Sequence, residues 1–138
     1  MKKINATDKQ LIPLQNAVHS LLHTFSEEER ELLYSKIRRV QPPGGMIAIS
    51  FKAEGDYVQN ENGNSIKPTE AGPVITDHAG RISRLFVTNT LPLVKELQDT
   101  DYQVINTYRW DVPKEGTNPP KFRKFVGLIA QKINRERR

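Results

Sequence analysis

His19 and His23 stand four residues apart, a spacing that on a helix presents two imidazoles from one face, as a metal ion would require. The intervening Ser20-Leu21-Leu22 lacks the glutamate of a metalloprotease helix, and no spacing demands a third ligand, His78 included. The expectation is therefore no metal site, with both histidines packed or facing solvent. Glu54, Asp56 and Asp77 are carboxylates that acid–base work could use, but nothing in the sequence brings them together. No catalytic residue is assigned. The chain has no cysteine, which excludes disulfides and thiolate chemistry.

Three cations are better placed. Lys52 follows the run Met46-Ile47-Ala48-Ile49-Ser50-Phe51, in which only Ser50 is polar; a short run of this kind reads as a central, parallel strand buried on both faces. Ligands of open parallel sheets collect beyond the carboxyl ends of the strands, so Lys52 with Arg81 and Arg84 forms a candidate anion site. Gly44-Gly45 precedes a strand and not a helix, which makes it a turn and not a phosphate cradle.

A second group of cations lies further on. The net charge is +5, and eight of the 21 Lys and Arg residues follow Pro113, against Glu115 and Glu136 alone. These eight are Lys114, Lys121, Arg123, Lys124, Lys132, Arg135, Arg137 and Arg138. A solubilising tail, with 131–138 as its basic end, is the plain reading; contact with a nucleic-acid backbone is the alternative. Tyr108 and Trp110 are expected to pack within a strand and not to stack on bases.

The elements that must hold these side chains are legible in part. A chain of 138 residues makes one domain with a core of its own. Residues 1–12 read as a frayed end. Leu14, Val18, Leu21, Leu22 and Phe25 recur at helical spacing, predicting a helix from Pro13 to Thr24. Ser26 with Glu29 forms a capping box for a second helix, Glu27 to Val40, with Leu33, Ile37 and Val40 as its apolar stripe and Lys36, Arg38 and Arg39 at its basic end. Pro42-Pro43-Gly44-Gly45 stops that helix. Residues 53–80 contain four glycines and two prolines and read as a long loop, with a short strand allowed at 74–76; loops of that length are usually functional or disordered. A helix follows at Thr90 to Gln98, with Pro92 in its first turn. Tyr102, Val104, Tyr108 and Trp110 alternate as one face of a strand that only Asn106 spoils, 111–120 is a loop, and Phe125 to Ala130 fits either a buried strand or a helical stripe. An enzyme of unrelated type with its site in the 53–80 loop is a further alternative.

The order of helix, Arg38-Arg39-Val40-Gln41-Pro42-Pro43-Gly44-Gly45, apolar strand, Gly80-Arg81, helix and two terminal strands resembles the C-terminal half of class I S-adenosylmethionine-dependent methyltransferases, in which a basic pair and a Pro-Gly-Gly turn lead into the fifth strand. Tyr102 to Ile105 and Phe125 to Ala130 are similar to the sixth and seventh strands, and Asn16 to His23 to the stretch after the fourth. The resemblance implies a small open α/β sheet with N-terminal helices, a Rossmann-like half-fold. The glycine-rich turn after a first strand and the acid ending a second strand, with which that family holds its cofactor, have no counterpart here. The implied protein is methyltransferase-like, inactive alone or dependent on a partner, and takes S-adenosylmethionine only if a partner supplies the missing half.

Two expectations concern surroundings. An unpaired edge on a central apolar strand invites another chain, so a homodimer or a complementing polypeptide is expected. No apolar run approaches the roughly 20 residues of a membrane span, and no apolar leader follows Met1-Lys2-Lys3, which favours the cytoplasm.

Overall fold

The computed structural model describes residues 17–60, 65–77 and 80–133; the expected frayed end at 1–12 and residues 134–138 of the basic tail lie outside the described residues. In chain order the elements are β1 (Ala17–Leu21), α1 (Glu27–Val40), β2 (Met46–Ala53), a 3-10 turn (Tyr57–Asn60), β3 (Ser65–Pro68), β4 (Pro73–Thr76), β5 (Ser83–Val87), α2 (Leu91–Asp99), β6 (Tyr102–Lys114) and β7 (Lys121–Lys132). The strands join one mixed α/β sheet in the order β3-β4-β5-β2-β7-β6, with β1 also on β2.

The centre is β2. It pairs antiparallel with β7 from Met46 opposite Gln131 to Lys52 opposite Phe125. Its other edge is shared by two parallel partners, β1 along Met46 to Ser50 and β5 at Lys52 and Ala53. Where β1 ends, therefore, β5 takes over.

The capping box forms as its sequence requires, Glu29 N–H donating to Ser26 Oγ at 3.1 Å and Ser26 N–H to Glu29 Oε1 at 2.8 Å. Both helices pack on the sheet face that carries Ile47, Ile49, Phe51, Val126, Leu128 and Ala130. The buried stripe of α1 is centred on Arg30 and Tyr34, with Leu33 and Ile37 beside it. Val40, expected in that stripe, is 81% exposed: it lies on the last helical turn, just before the chain turns away at Gln41. Tyr102 Oη donates to Gln41 Oε1 at 2.6 Å, Gln41 Nε2 donates to Met46 O at 2.9 Å, and Lys132 Nζ donates to Gln41 O. These bonds tie the Pro-Pro-Gly-Gly turn to β2, β6 and β7. Gly44 takes the left-handed conformation in that turn, with φ at 81°.

Several expectations are corrected. Described residues of the expected helix at Pro13–Thr24 form β1 instead; pairing with the apolar edge of β2 gives this segment more than its helical spacing does, and residues 13–16 lie outside the described residues. β2 is not buried on both faces: Ser50 and Lys52 are half-buried on the side away from the helices. The 53–80 stretch is not a plain loop, since β3 and β4 form a hairpin within it that extends to β5; prolines at 68 and 73 sit at strand ends, where no ladder donor is lost. β6 reaches Lys114 and β7 starts at Lys121, so 111–114 are strand; Phe125–Ala130, open between strand and helix in the sequence, is strand.

A bulge in β6 decides which way its aromatics point. The register steps from Val104 opposite Ala130 to Asn106 opposite Ile129, leaving Ile105 without a partner. One extra residue inverts the alternation. Tyr102 stays in the core, but Tyr108 and Trp110 turn to the sheet's other face, so the four aromatic and apolar residues expected on one side are split.

Candidate functional site

The handover from β1 to β5 opens a wedge at the carboxyl ends of the parallel strands. Leu22 N–H still donates to Ser50 O at 2.7 Å, but the next residue's carbonyl, His23 O, accepts from Leu85 N–H at 2.8 Å. His23 thus sits between β2 and the first half of β5, which have parted. Lys52 lies opposite Phe86, and Arg84, two residues before Phe86, shares that face by strand alternation. The wedge therefore gathers His23, Lys52 and Arg84, with the buried Phe86 and Ile75 beside them.

Its electrostatics follow from a buried anion. Asp56 is fully buried; its Oδ1 accepts from Lys124 N–H at 2.7 Å and pairs with Lys52 Nζ at 3.3 Å, and its Oδ2 accepts from Val58 N–H at 2.9 Å. Lys52 Nζ also lies 4.9 Å from the Phe125 ring centre. From Phe125 the aromatics continue outward: Trp110 stacks on it at 5.0 Å and Tyr108 on Trp110 at 5.1 Å. Arg84 has no ion-pair or hydrogen-bond partner among the described residues. The His23 imidazole is pushed down to about 4, by burial first and by the charges of Lys52 and Arg84 next, with Asp56 opposing them. His23 Nδ1 is buried without a hydrogen-bond partner.

A stability prediction follows from that imidazole. In the unfolded chain it takes a proton near its ordinary 6.5, in the fold only near 4, so between these values the unfolded state binds more protons and acidification favours it. Lowering the pH from 7 to 4.5 should cost about 2 kcal/mol through this one group, allowing for partial solvent screening. His23→Gln should lose that much less over the same range, read by urea unfolding at each pH; equal losses in both proteins would disprove the assignment.

The candidate anion set is divided. Lys52 and Arg84 meet in the wedge, whereas Arg81 lines a cleft of about 760 Å³ with Phe25, Arg30, Lys67 and Lys95, which His23 also borders. Of the carboxylates, Asp56 is the counter-ion of Lys52, Glu54 is exposed, and Asp77 accepts from Arg81 N–H at 2.9 Å in a turn; they do not converge. The basic group is split as well. Lys121, Arg123 and Lys124 stand at one end of β7, and Lys132 at the other, about 26–36 Å away at strand rise. Lys124 pairs with Asp111 at 3.2 Å. Arg135, Arg137, Arg138 and His78 lie outside the described residues. Within those described, His, Asp and Glu form no group of three suited to a metal ion, and no helix is long and apolar enough to cross a membrane.

His23 was noticed in the sequence, but for a helical pairing with His19 that the strand abolishes. Arg84 was noticed without the means to separate it from Arg81. The aromatic row was missed, because the bulge that assembles it has no sequence signal beyond the polar Asn106.

A split sheet edge with its crevice at the carboxyl ends of parallel strands, flanked by an antiparallel pair, defines a partial Rossmann-like fold. Comparison with solved structures makes it more specific. The chain is similar to the Burkholderia thailandensis 1,6-didemethyltoxoflavin-N1-methyltransferase solved with its substrate and S-adenosylhomocysteine, with a TM-score of 0.54 at 18% identity, covering 84% of this chain and 44% of that one. It is similar also to an S-adenosylmethionine-dependent methyltransferase of Methanosarcina mazei, with a TM-score of 0.53 at 17% identity over 86% of this chain and 59% of that one, and to the CcbJ methyltransferase of Streptomyces caelestis, with a TM-score of 0.51 at 10% identity over 86% and 61%. The chain has a partial methyltransferase fold, and spans 44–61% of the length of these three structures. No protein-family model matches its sequence, and no curated protein does.

Among the described residues neither connection from strand to α-helix, 22–26 nor 88–90, contains a glycine, so no turn lets a backbone approach the cofactor as a dinucleotide-type fold requires. The wedge presents Lys52 and Arg84, and positive side chains repel a sulfonium.

Proposed function

We propose that this chain is the acceptor-side half of an S-adenosylmethionine-dependent methyltransferase, inactive alone and completed by further polypeptide. The observation that supports this reading most directly is the pair of coverages: 84–86% of this chain aligns, but only 44–61% of the methyltransferases it resembles. Two surfaces suit a completing segment. The outer edge of β1 has no strand partner among the described residues, and an unpaired parallel edge is a template for another strand. The sheet face opposite the helices carries Leu21, Tyr108, Trp110 and Phe125 partly exposed. Methyl transfer in this reading takes place at the carboxyl ends of β1 and β2, with the added polypeptide holding the cofactor and this chain holding the acceptor. Completion by a second copy is distinguishable from completion by a different polypeptide.

Calorimetric titration tests it. The isolated chain should show no micromolar binding of S-adenosylmethionine, and binding should appear on adding the completing polypeptide; micromolar binding by the monomer would overturn the reading. Sedimentation equilibrium over a hundredfold dilution separates the two forms of completion, because a homodimer dissociates on dilution while a chain that needs a different partner stays monomeric throughout.

A further inference from the structure

We propose that the wedge between β2 and β5 binds a carboxylate-bearing small molecule, its carboxylate held by the fork of Arg84 between His23 and Lys52. The inference rests on the preceding reading of this crevice as the acceptor side, and it names the acceptor's class.

Four observations support it. Arg84 is half-buried on β5 and has no partner among the described residues; a guanidinium so placed is a donor of two parallel bonds waiting for a planar anion. His23 has a buried ring nitrogen without a bond, and the strand register puts its backbone next to Leu85, between Arg84 and Phe86. Lys52 is held in place by Asp56 at 3.3 Å with its side chain 12% exposed, so it is positioned already and costs little to immobilise. Phe125, half-buried, lies under the Lys52 ammonium, giving an apolar body somewhere to rest.

Charge selects the kind of anion. Lys52 and Asp56 cancel, His23 is neutral at physiological pH, and Arg84 leaves one positive charge. A monoanionic carboxylate neutralises the site, whereas a phosphate dianion leaves it one charge in excess in a partly desolvated place, which is unfavourable. Arg84 would contact the ligand, and Lys52 and His23 would flank it.

The test uses the full chain without cofactor or any second polypeptide, so its result is independent of whether methyl transfer occurs. Benzoate, benzamide and inorganic phosphate are titrated by calorimetry, while the His23 imidazole is followed by proton NMR. Benzoate should bind at least about tenfold more tightly than benzamide or phosphate, and should raise the His23 titration midpoint, because a nearby anion favours the imidazolium. Arg84→Ala should weaken benzoate by about tenfold or more and abolish the midpoint shift, and Arg84→Lys should restore part of the affinity, since charge returns but the fork does not. Arg81→Ala should change nothing, because Arg81 is not among the cations that act on His23. Benzoate binding no better than benzamide, or binding undiminished in both Arg84→Ala and Arg84→Gln, would overturn the site; phosphate binding more tightly than benzoate would overturn its class.

Discussion

Arg30→Ala should lower the stability of the fold by about 3–5 kcal/mol, the usual cost of stripping one member from a buried ion pair. Arg30 lies on the sheet-facing side of α1, and its Nε and terminal nitrogen grip Glu96 of α2 at 2.9 and 2.7 Å. Its remaining nitrogen donates to Phe25 O at 2.8 Å, and the guanidinium sits 5.7 Å from the Phe51 ring centre. The two side chains are 7% and 9% exposed. Removing Arg30 therefore leaves a carboxylate with no counter-ion in the core. Glu96→Ala should cost a similar amount for the mirrored reason. The pair substitution Arg30→Met with Glu96→Leu should cost much less than either single change, because apolar groups of like volume need no partner. Urea unfolding of the four proteins decides it; single and double losses that simply add would mean the two side chains act separately.

Gly72→Ala should be about as damaging, at about 3–5 kcal/mol. Gly72 has φ at 148°, a region that side chains avoid, and the strain alone is worth about 1–3 kcal/mol. A methyl there would stand 2.1 Å from Phe86 O and 3.0 Å from Thr88 N, both backbone atoms that cannot swing aside, and overpacking of this kind adds about 1–3 kcal/mol. The turn is also closed by bonds between Thr69 and Gly72 in both directions, at 3.1 Å each. Because β4 pairs with β5 beside this residue, the damage should spread to the wedge: an alanine variant that still folds should lose the low His23 midpoint. Unchanged thermal melting would show that the β3–β4 turn opens freely and does not press on β5.

Local chemistry accounts for most of what could be read in advance. The Ser26–Glu29 box, the Pro-Pro-Gly-Gly stop, a strand from the apolar run at 46–51 and the placement of Pro92 in a first helical turn each involve residues near one another in the chain, and each formed as expected, apart from the burial of that strand on both faces. β1 was hidden because Leu14, Val18, Leu21, Leu22 and Phe25 fit a helical period, and only pairing with β2, some thirty residues on, outweighs it. β5 was hidden because Leu85 and Val87 join Leu91 and Val94 in one apparent helical series across the boundary at Thr88–Thr90. The hairpin of β3 and β4 was hidden by its own prolines and glycines. For the site, Lys52 could be placed from the end of its strand, but choosing Arg84 over Arg81 needs the register of β5 on β2 and on His23, which no local pattern carries.

The pairing of Met46 with Gln131 and of Lys52 with Phe125 has a consequence for how the chain comes into being. When β2 leaves the ribosome, β1 and α1 are available to it, but the strand that fills its long antiparallel edge is the last of the described strands to emerge. Loop closure on this scale is slow, and until it happens the apolar strand offers an open edge to any neighbour. The nascent protein is thus most vulnerable to aggregation between the emergence of β2 and that of β7, and truncation within β7 should yield insoluble material rather than a smaller folded unit.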